Sequence, residues 1–283
     1  MTRFNVRRAV AATTLGVLAV GGLSACGSDD DGGSTASDSS SDDSSQDGDA
    51  EEADPETDEG PAEGDEVEPT AFADMYADAM EQMGSAAVAV DATGAAPVTS
   101  EGVISFDPEN VQMELTTETA GQSSEVLLVD DVMYVGDGAG GFFSLPLDDP
   151  NNPFAKSFSI SFDAEANREL FATAANSVVY TGTEDVDGSE VDVYEVEMDA
   201  LASLEAQGLT ELTEAVPDFP ETLTYTAAFD DDGNLVQVVT TIPSIAGAPE
   251  SEQTITYSDF GTDVDVQAPD PSTVQDFPGA PSA

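Results

Sequence analysis

The chain has 283 residues, with 59 acidic residues against five basic ones, no histidine, no tryptophan and one cysteine. That inventory excludes Ser-His-Asp and Cys-His nucleophilic catalysis, imidazole and thiolate metal sites, and any disulfide within the chain. A net charge of −54 repels nucleic acid, whose binding depends on Lys and Arg neutralising phosphates, and carboxylates are too abundant to single out a catalytic pair.

Residues 1–25 read as an export signal. Arg3, Arg7 and Arg8 precede a stretch of apolar and small residues over 9–22, the order of a signal peptide. The apolar core is shorter than the roughly 20 residues a spanning helix needs. Leu23-Ser24-Ala25-Cys26 closes it and resembles a bacterial lipobox. The resemblance implies cleavage before Cys26, a diacylglyceryl thioether on its sulfur and acylation of the new amino terminus. Two acyl chains hold a protein stably on a membrane, where one binds reversibly. The expected location is the outer, extracytoplasmic face of the cell membrane. Past residue 25 only Lys156 and Arg168 face the 59 acids, a net charge of −57, so residence there depends on the anchor at Cys26 and not on a basic patch.

Residues 26–69 form an acidic linker of Ser, Asp, Glu, Gly, Ala, Thr and Pro with one large apolar residue, Val67. Such a segment cannot bury enough apolar surface to offset its ordering entropy and is expected to be disordered. A folded domain is expected over 70–268, with a flexible tail over 269–283.

Thr70 is the expected N-cap of a first helix. Phe72, Met75, Tyr76, Ala79, Met80 and Met83 follow its i, i+3, i+4 stripe, and Gly84 ends it. From Ser85 the period changes to two. Val111, Met113 and Leu115 alternate with polar residues, as do Leu223, Tyr225, Ala227 and Phe229, and Ile255 with Tyr257. These are half-buried strands. Turn signals such as Asp130-Asp131, Asp187-Gly188 and Asp231-Asp232-Gly233-Asn234 separate the runs. The pattern predicts ten strands near 86–92, 100–107, 110–119, 123–129, 132–136, 142–145, 177–185, 190–198, 222–230 and 235–242, and an eleventh near 252–260. Asp163 is expected to cap a helix through 175 with Leu170, Phe171 and Ala174 on one face, and Asp199 a shorter helix over 200–207 ended by Gly208. The fold class is mainly β (α+β): one strongly curved antiparallel sheet, a half-barrel, covered on its concave face by a few helices.

Phe154, Phe158, Ile160 and Phe162 form an apolar strip entering the second helix. It either lines or gates an apolar cavity, or is ordinary core. The first helix's methionines carry the same two readings, as an adaptable ligand face or a core stripe. Lys156 and Arg168 flank the strip, as headgroup partners or as local ion pairs such as Arg168 with Glu165. The Asp185-Val186-Asp187-Gly188 and Asp230-Asp231-Asp232-Gly233-Asn234 runs look like calcium loops, but neither continues into the EF-hand pattern; they read as hairpin turns. No metal and no cofactor is expected.

Four blocks in order carry a wider resemblance: Leu127-Leu128-Val129-Asp130-Asp131-Val132-Met133-Tyr134-Val135; Leu147-Asp148-Asp149-Pro150-Asn151-Asn152-Pro153; the run from Val178-Val179-Tyr180-Thr181-Gly182 through Tyr194-Glu195-Val196 to Gln207-Gly208-Leu209; and Tyr257-Ser258-Asp259-Phe260-Gly261-Thr262 leading to Ala268-Pro269-Asp270-Pro271. With the lipobox, they resemble the LppX/LprG lipoproteins of mycobacteria and related actinobacteria, which are similar to the LolA/LolB lipid carriers. The resemblance implies a curved sheet wrapped over helices with an acyl-binding cavity between them, no catalytic residue, and a role in binding and carrying acylated lipids or lipoglycans in the cell envelope. The candidate cavity residues are Met75, Met80, Met113, Phe154, Phe158, Ile160, Phe162, Leu170 and Phe171. The expected partners are the membrane, through Cys26, and an acylated lipid. The alternative is a non-catalytic surface lipoprotein with a filled core and no ligand.

Overall fold

Helix α1 (Pro69–Met83) opens on proline, not on Thr70: Glu68 holds the N-cap position and makes no side-chain cap bond. Proline suits the first helical position because its fixed φ is pre-organised and its missing N–H has no partner there anyway. The apolar stripe buries Phe72, Ala73, Ala77, Met80 and Met83. This computed structural model describes residues 60–94, 96–107, 110–147, 158, 160–209, 219–244 and 249–277. Cys26, Phe154 and Lys156 lie outside the described residues.

All eleven alternating runs are strands: β1 (Ser85–Ala92), β2 (Val98–Ser105), β3 (Gln112–Thr119), β4 (Gln122–Val129), β5 (Val132–Gly136), β6 (Phe142–Pro146), β7 (Ala175–Val186), β8 (Ser189–Asp199), β9 (Thr222–Asp230), β10 (Leu235–Ile242) and β11 (Ser251–Ser258). Asp163 caps α2 (Ala164–Ala174) by accepting from the Ala166 N–H at 2.9 Å. Asp199 caps α3 (Ala200–Gln207) through the Ala202 N–H at 2.7 Å, and Gly208 ends that helix in the left-handed region. Asp130 and Asp131 turn the β4–β5 hairpin at positive φ, as Asp187 and Gly188 turn β7–β8.

A twelfth strand, β12 (Val274–Asp276), follows a 3-10 turn at Pro271–Thr273 and pairs parallel with β6. It makes the sheet mixed and not purely antiparallel. The strand order is β12-β6-β5-β4-β3-β2-β1-β11-β10-β9-β8-β7. Two meanders, β1–β6 and β7–β11, are joined where β1 pairs with β11. The two ends of this curled sheet do not meet. At one end the backbone ahead of α1 covers β7: the Gly64 N–H donates to Tyr180 O at 2.8 Å, the Tyr180 N–H to Asp65 O at 3.0 Å and the Val67 N–H to Val178 O at 2.9 Å. Covering an edge this way removes a template for aggregation. The sheet thus draws in residues on both sides of the expected 70–268 boundaries, and part of the expected tail is a strand. In the middle, β2 and β3 approach so closely at Gly102 that a Cβ there would strike the Glu114 carbonyl, the setting in which a strand glycine is required.

The helices lie over the second meander, α1 against α2, β7 and β10, and α3 against β8 and β9. One large cluster fills the inner face, from Phe72 and Met80 on α1 through Ile104, Met113, Leu115 and Val126 to Val196, Met198 and Phe229. Two smaller clusters lie on the outer face. Val191, Val193, Ala228 and Val236 pack under Phe260, and Leu127 and Val129 pack with Val264 and Val266. The 261–277 segment therefore runs as a strap across the outer face. It is pinned by the Val266 N–H donating to Gln112 Oε1 at 3.2 Å and by β12.

Candidate functional site

The sequence candidates converge on the inner cluster. Met80, Met113, Phe158, Leu170 and Phe171 are buried members of it, and Met75 and Phe162 pack against it half-buried. Ile160 is half-buried and stands outside the cluster. Backbone at Phe158 and at residues 160–162 is helical, so the alternating strip does not keep one face. Phe158 and Phe162, four residues apart, meet edge to face at 4.8 Å, and Phe162 lies 6.2 Å from Phe106. Helical spacing brings i and i+4 together and sends the residue between them elsewhere. Asn167, itself buried, holds this turn against α2 by donating to Ile160 O at 2.6 Å and Asp163 O at 3.0 Å.

A feature that strand and helix patterning did not single out lies beside them. Tyr76 on α1, Tyr225 on β9 and Tyr257 on β11 come from three distant parts of the chain and pack against the same cluster. The rings of Tyr76 and Phe171 meet at a tilt, 4.7 Å between centroids, Phe171 meets Tyr225 at 6.3 Å and Phe106 meets Tyr257 at 6.0 Å. Burial pushes the Tyr76 hydroxyl far above its ordinary pKa of 10, and Tyr257 and Tyr225 add to the rise. Burial also raises Tyr225, against a side-chain hydrogen bond with Ser203 that works the other way. Tyr257 is pushed up to about 12 by burial alone. All three residues nevertheless keep accessible surface. Among the described residues the only enclosed polar side-chain atom without a hydrogen-bond partner is Arg168 Nε. The Tyr76 and Tyr257 hydroxyls have no partner among the described residues, so they are not sealed in protein. Side chains from α1, β9 and β11 thus pack against the inner cluster and still keep part of their surface accessible.

Arg168 is the only basic residue among the described ones. Its guanidinium lies 3.4 Å from Asp74, 3.3 Å from Asp78 and 3.6 Å from Glu165. It ties α2 to α1 and is already matched by three carboxylates. A separate groove of about 370 Å³ opens on the outer face between Thr116, Ser124, Glu125, Gly136 and Phe142. The Asp137 carboxyl at its rim is held below its usual range by the Ala139 and Gly141 N–H groups. Among the described residues, no three His, Cys, Asp or Glu side chains are placed to hold a metal, and no helix is long and apolar enough to cross a membrane.

No protein-family model matches the chain, and no curated protein matches it. Among solved structures, the chain is similar to LprF from Mycobacterium bovis at 16% identity and a TM-score of 0.49, over 71% of this chain and 97% of that one. It is similar to the Mycobacterium tuberculosis lipoprotein LppX at 15% identity and a TM-score of 0.48, over 70% and 98%. MucB, solved in complex with MucA(peri), follows at 11% identity and a TM-score of 0.38, over 72% of this chain and 59% of MucB. At such identities and TM-scores they assign no ligand or activity to this chain.

Proposed function

We propose that the protein is a membrane-anchored lipoprotein that binds acyl chains of lipids between its curled sheet and its helices, and carries them in the cell envelope without catalysis. The observation that supports this most is the inner face of an unclosed sheet, where Met75, Tyr76, Phe162, Tyr225 and Tyr257 pack against a large apolar cluster and stay half-buried. Each buried methylene contributes about 0.8 kcal/mol, so a sixteen-carbon chain gains on the order of 10 kcal/mol by leaving water. Shape and apolar area suffice for such a ligand. Met75, Met80 and Met113, with Phe154, Phe158, Ile160, Phe162, Leu170 and Phe171, are the side chains that would line or yield to it; methionine's unbranched thioether adapts readily to a new shape. Acylation at Cys26 would hold the domain at the extracytoplasmic face of the membrane, and the 26–69 linker would act as its tether, with a coil reach of roughly 35–40 Å.

A second reading has an observation in its favour. Met113 at 1% and Leu170 at 8% exposure are packed, as in an interaction module with a filled interior. The two readings separate on uptake of a fluorescent fatty-acyl probe by the delipidated chain from Gly27 onward. Saturable uptake supports the carrier, and its absence supports the module. Incorporation of radiolabelled palmitate into the full chain, and its loss in Cys26→Ser, tests the anchor independently.

A further inference from the structure

The groove on the outer face owes its shape to strand register. Thr116 pairs with Glu125 across β3 and β4, and Gly136 pairs with Phe142 across β5 and β6. Val126 pairs with Val135, so one step further along the same two strands Gly136 stands beside Glu125. A Cβ on Gly136 would come within 3.1 Å of the Glu125 nitrogen. Directly opposed residues share a face, so Thr116, Glu125 and Phe142 all rise from the outer face. Between the carboxylate and the ring, this row carries no side chain. Adjacent strands lie about 4.8 Å apart, which puts the Phe142 strand about 10 Å from the Glu125 strand. The β5–β6 loop closes one end of the gap. Asp137 fixes that loop by accepting from the Ala139 N–H at 2.7 Å and the Gly141 N–H at 2.8 Å, and the Asp137 N–H donates to Gly141 O at 2.8 Å. Gly138 and Gly140 sit at positive φ, and a Cβ on either would meet nothing within 4 Å. The loop is held by its own bonds and turns bare backbone to the groove.

We infer that this groove is a binding site for an uncharged sugar chain, a neutral polysaccharide held between the Phe142 ring and the Glu125 carboxylate. The inference does not depend on the lipid-binding reading. The lining selects the class. Thr116, Ser123 and Ser124 bring hydroxyls that donate and accept, Glu125 brings an acceptor, and the loop glycines bring peptide groups. None of these four side chains makes a hydrogen bond with another described residue. A wholly apolar ligand would strip water from them and offer no bond in exchange. An anionic ligand would meet Glu125 and Asp137 with no cation to offset them. Arg168, the one described cation, is on α2 and is held by Asp74, Asp78 and Glu165. A sugar ring matches what remains. Its hydroxyls donate to a carboxylate and exchange bonds with serine, threonine and peptide groups, and its C–H face packs on an aromatic ring. The groove volume of about 370 Å³ lies at the lower end of small-ligand sites, about 300–1,000 Å³, and so takes a short stretch of chain. A polymer fits better than an enclosed small molecule, because the register row continues across the sheet. From Thr116 it runs through Glu101, Ala89, Thr256 and Gln237, polar or small side chains over which a sugar chain can extend.

The test is affinity electrophoresis of the chain from Gly27 to Ala283, which keeps every described residue. Native gels are cast with dextran, glycogen, galactomannan or mixed-linkage β-glucan, and with polygalacturonate and glycol chitosan as the anionic and cationic comparisons. At least one neutral polymer should retard the wild type saturably, and equally in low and high salt, because an uncharged ligand has no charge to screen. Polygalacturonate should not retard it. Glu125→Ala should weaken the retarding polymer about tenfold or more, the scale of a hydrogen bond to a charged group. Thr116→Tyr, which fills the groove from an exposed strand position, should abolish retention. Glu252→Ala removes an exposed carboxylate of β11 outside the groove and should change nothing. Urea unfolding checks that each variant is folded; if Thr116→Tyr is not, Phe142→Leu is read in its place and should weaken retention several-fold. Three results would overturn the site: no retardation by any neutral polymer, retardation untouched by Glu125→Ala and the groove substitution, or retention by glycol chitosan alone that high salt removes. The last would give the groove to a cationic partner.

Discussion

On the outer face of the sheet, Val191, Val193 and Ala228 are sealed beneath Phe260, and Leu127 and Val129 are packed with Val264 and Val266. The inner face of the sheet is built from larger side chains, and Tyr76, Tyr225 and Tyr257 pack against that cluster while staying half-buried. One face is covered by the chain's own C-terminal segment from Phe260 onward, over small and branched apolar residues. The other is closed only in part, by helices over the second meander. The contrast teaches that accessible surface inside is not loose packing throughout: where this chain has a small apolar patch to cover, it covers it.

The comparison can be tested first at Phe72, which is 0% exposed and surrounded by Tyr76, Phe171, Tyr194 and Phe229. Phe72→Ala should cost about 3–5 kcal/mol in urea unfolding. A loss no larger than that of an outer-face truncation would mean that the inner cluster does not dominate stability.

Alkaline titration comes next. A buried tyrosine whose pKa is raised favours the folded state only while protonated. Its contribution is intact below the unfolded value of 10 and is lost as pH rises through the folded one, about 12 for Tyr257. Stability should therefore fall between pH 10 and 12, with Tyr257 accounting for on the order of 2–3 kcal/mol, and Tyr257→Phe should flatten that slope. An unchanged slope would place the Tyr257 hydroxyl in water in the folded state.

On the outer face, Val266→Ala should cost about 1 kcal/mol from lost apolar burial. It should leave acyl-probe uptake unchanged, since the strap lies on the other side of the sheet; altered uptake would break the separation of the two faces. The smallest effect is expected at Arg168. Its partners are well exposed, so Arg168→Ala should cost only some tenths of a kcal/mol, less in high salt. A larger loss would make the α1–α2 tie a principal support of the inner face.

Much of this architecture was legible in residue patterning. Period-two runs located eleven strands, and Asp163, Asp199 and Gly208 marked helix ends as their chemistry requires. β12 was not legible, because three residues cannot display a period and parallel pairing with β6 is set by the strap that delivers it. Val264 and Val266 gave no pattern of their own, since what they cover belongs to strands more than a hundred residues earlier. The tyrosine group was missed for a related reason. Tyr76 read as one position of a helix stripe, and Tyr225 and Tyr257 as inner positions of separate strands; only the pairing of β9, β10 and β11 under α1 brings them together.

The central claim is that the interior admits acyl chains, and native mass spectrometry of the chain from Gly27 to Ala283, purified without detergent from cells that make it, addresses it most directly. The account predicts a protein mass accompanied by discrete additional masses of acylated lipid that dissociate on activation. A single ligand-free mass that stays unchanged after incubation with excess methyl palmitate would contradict it.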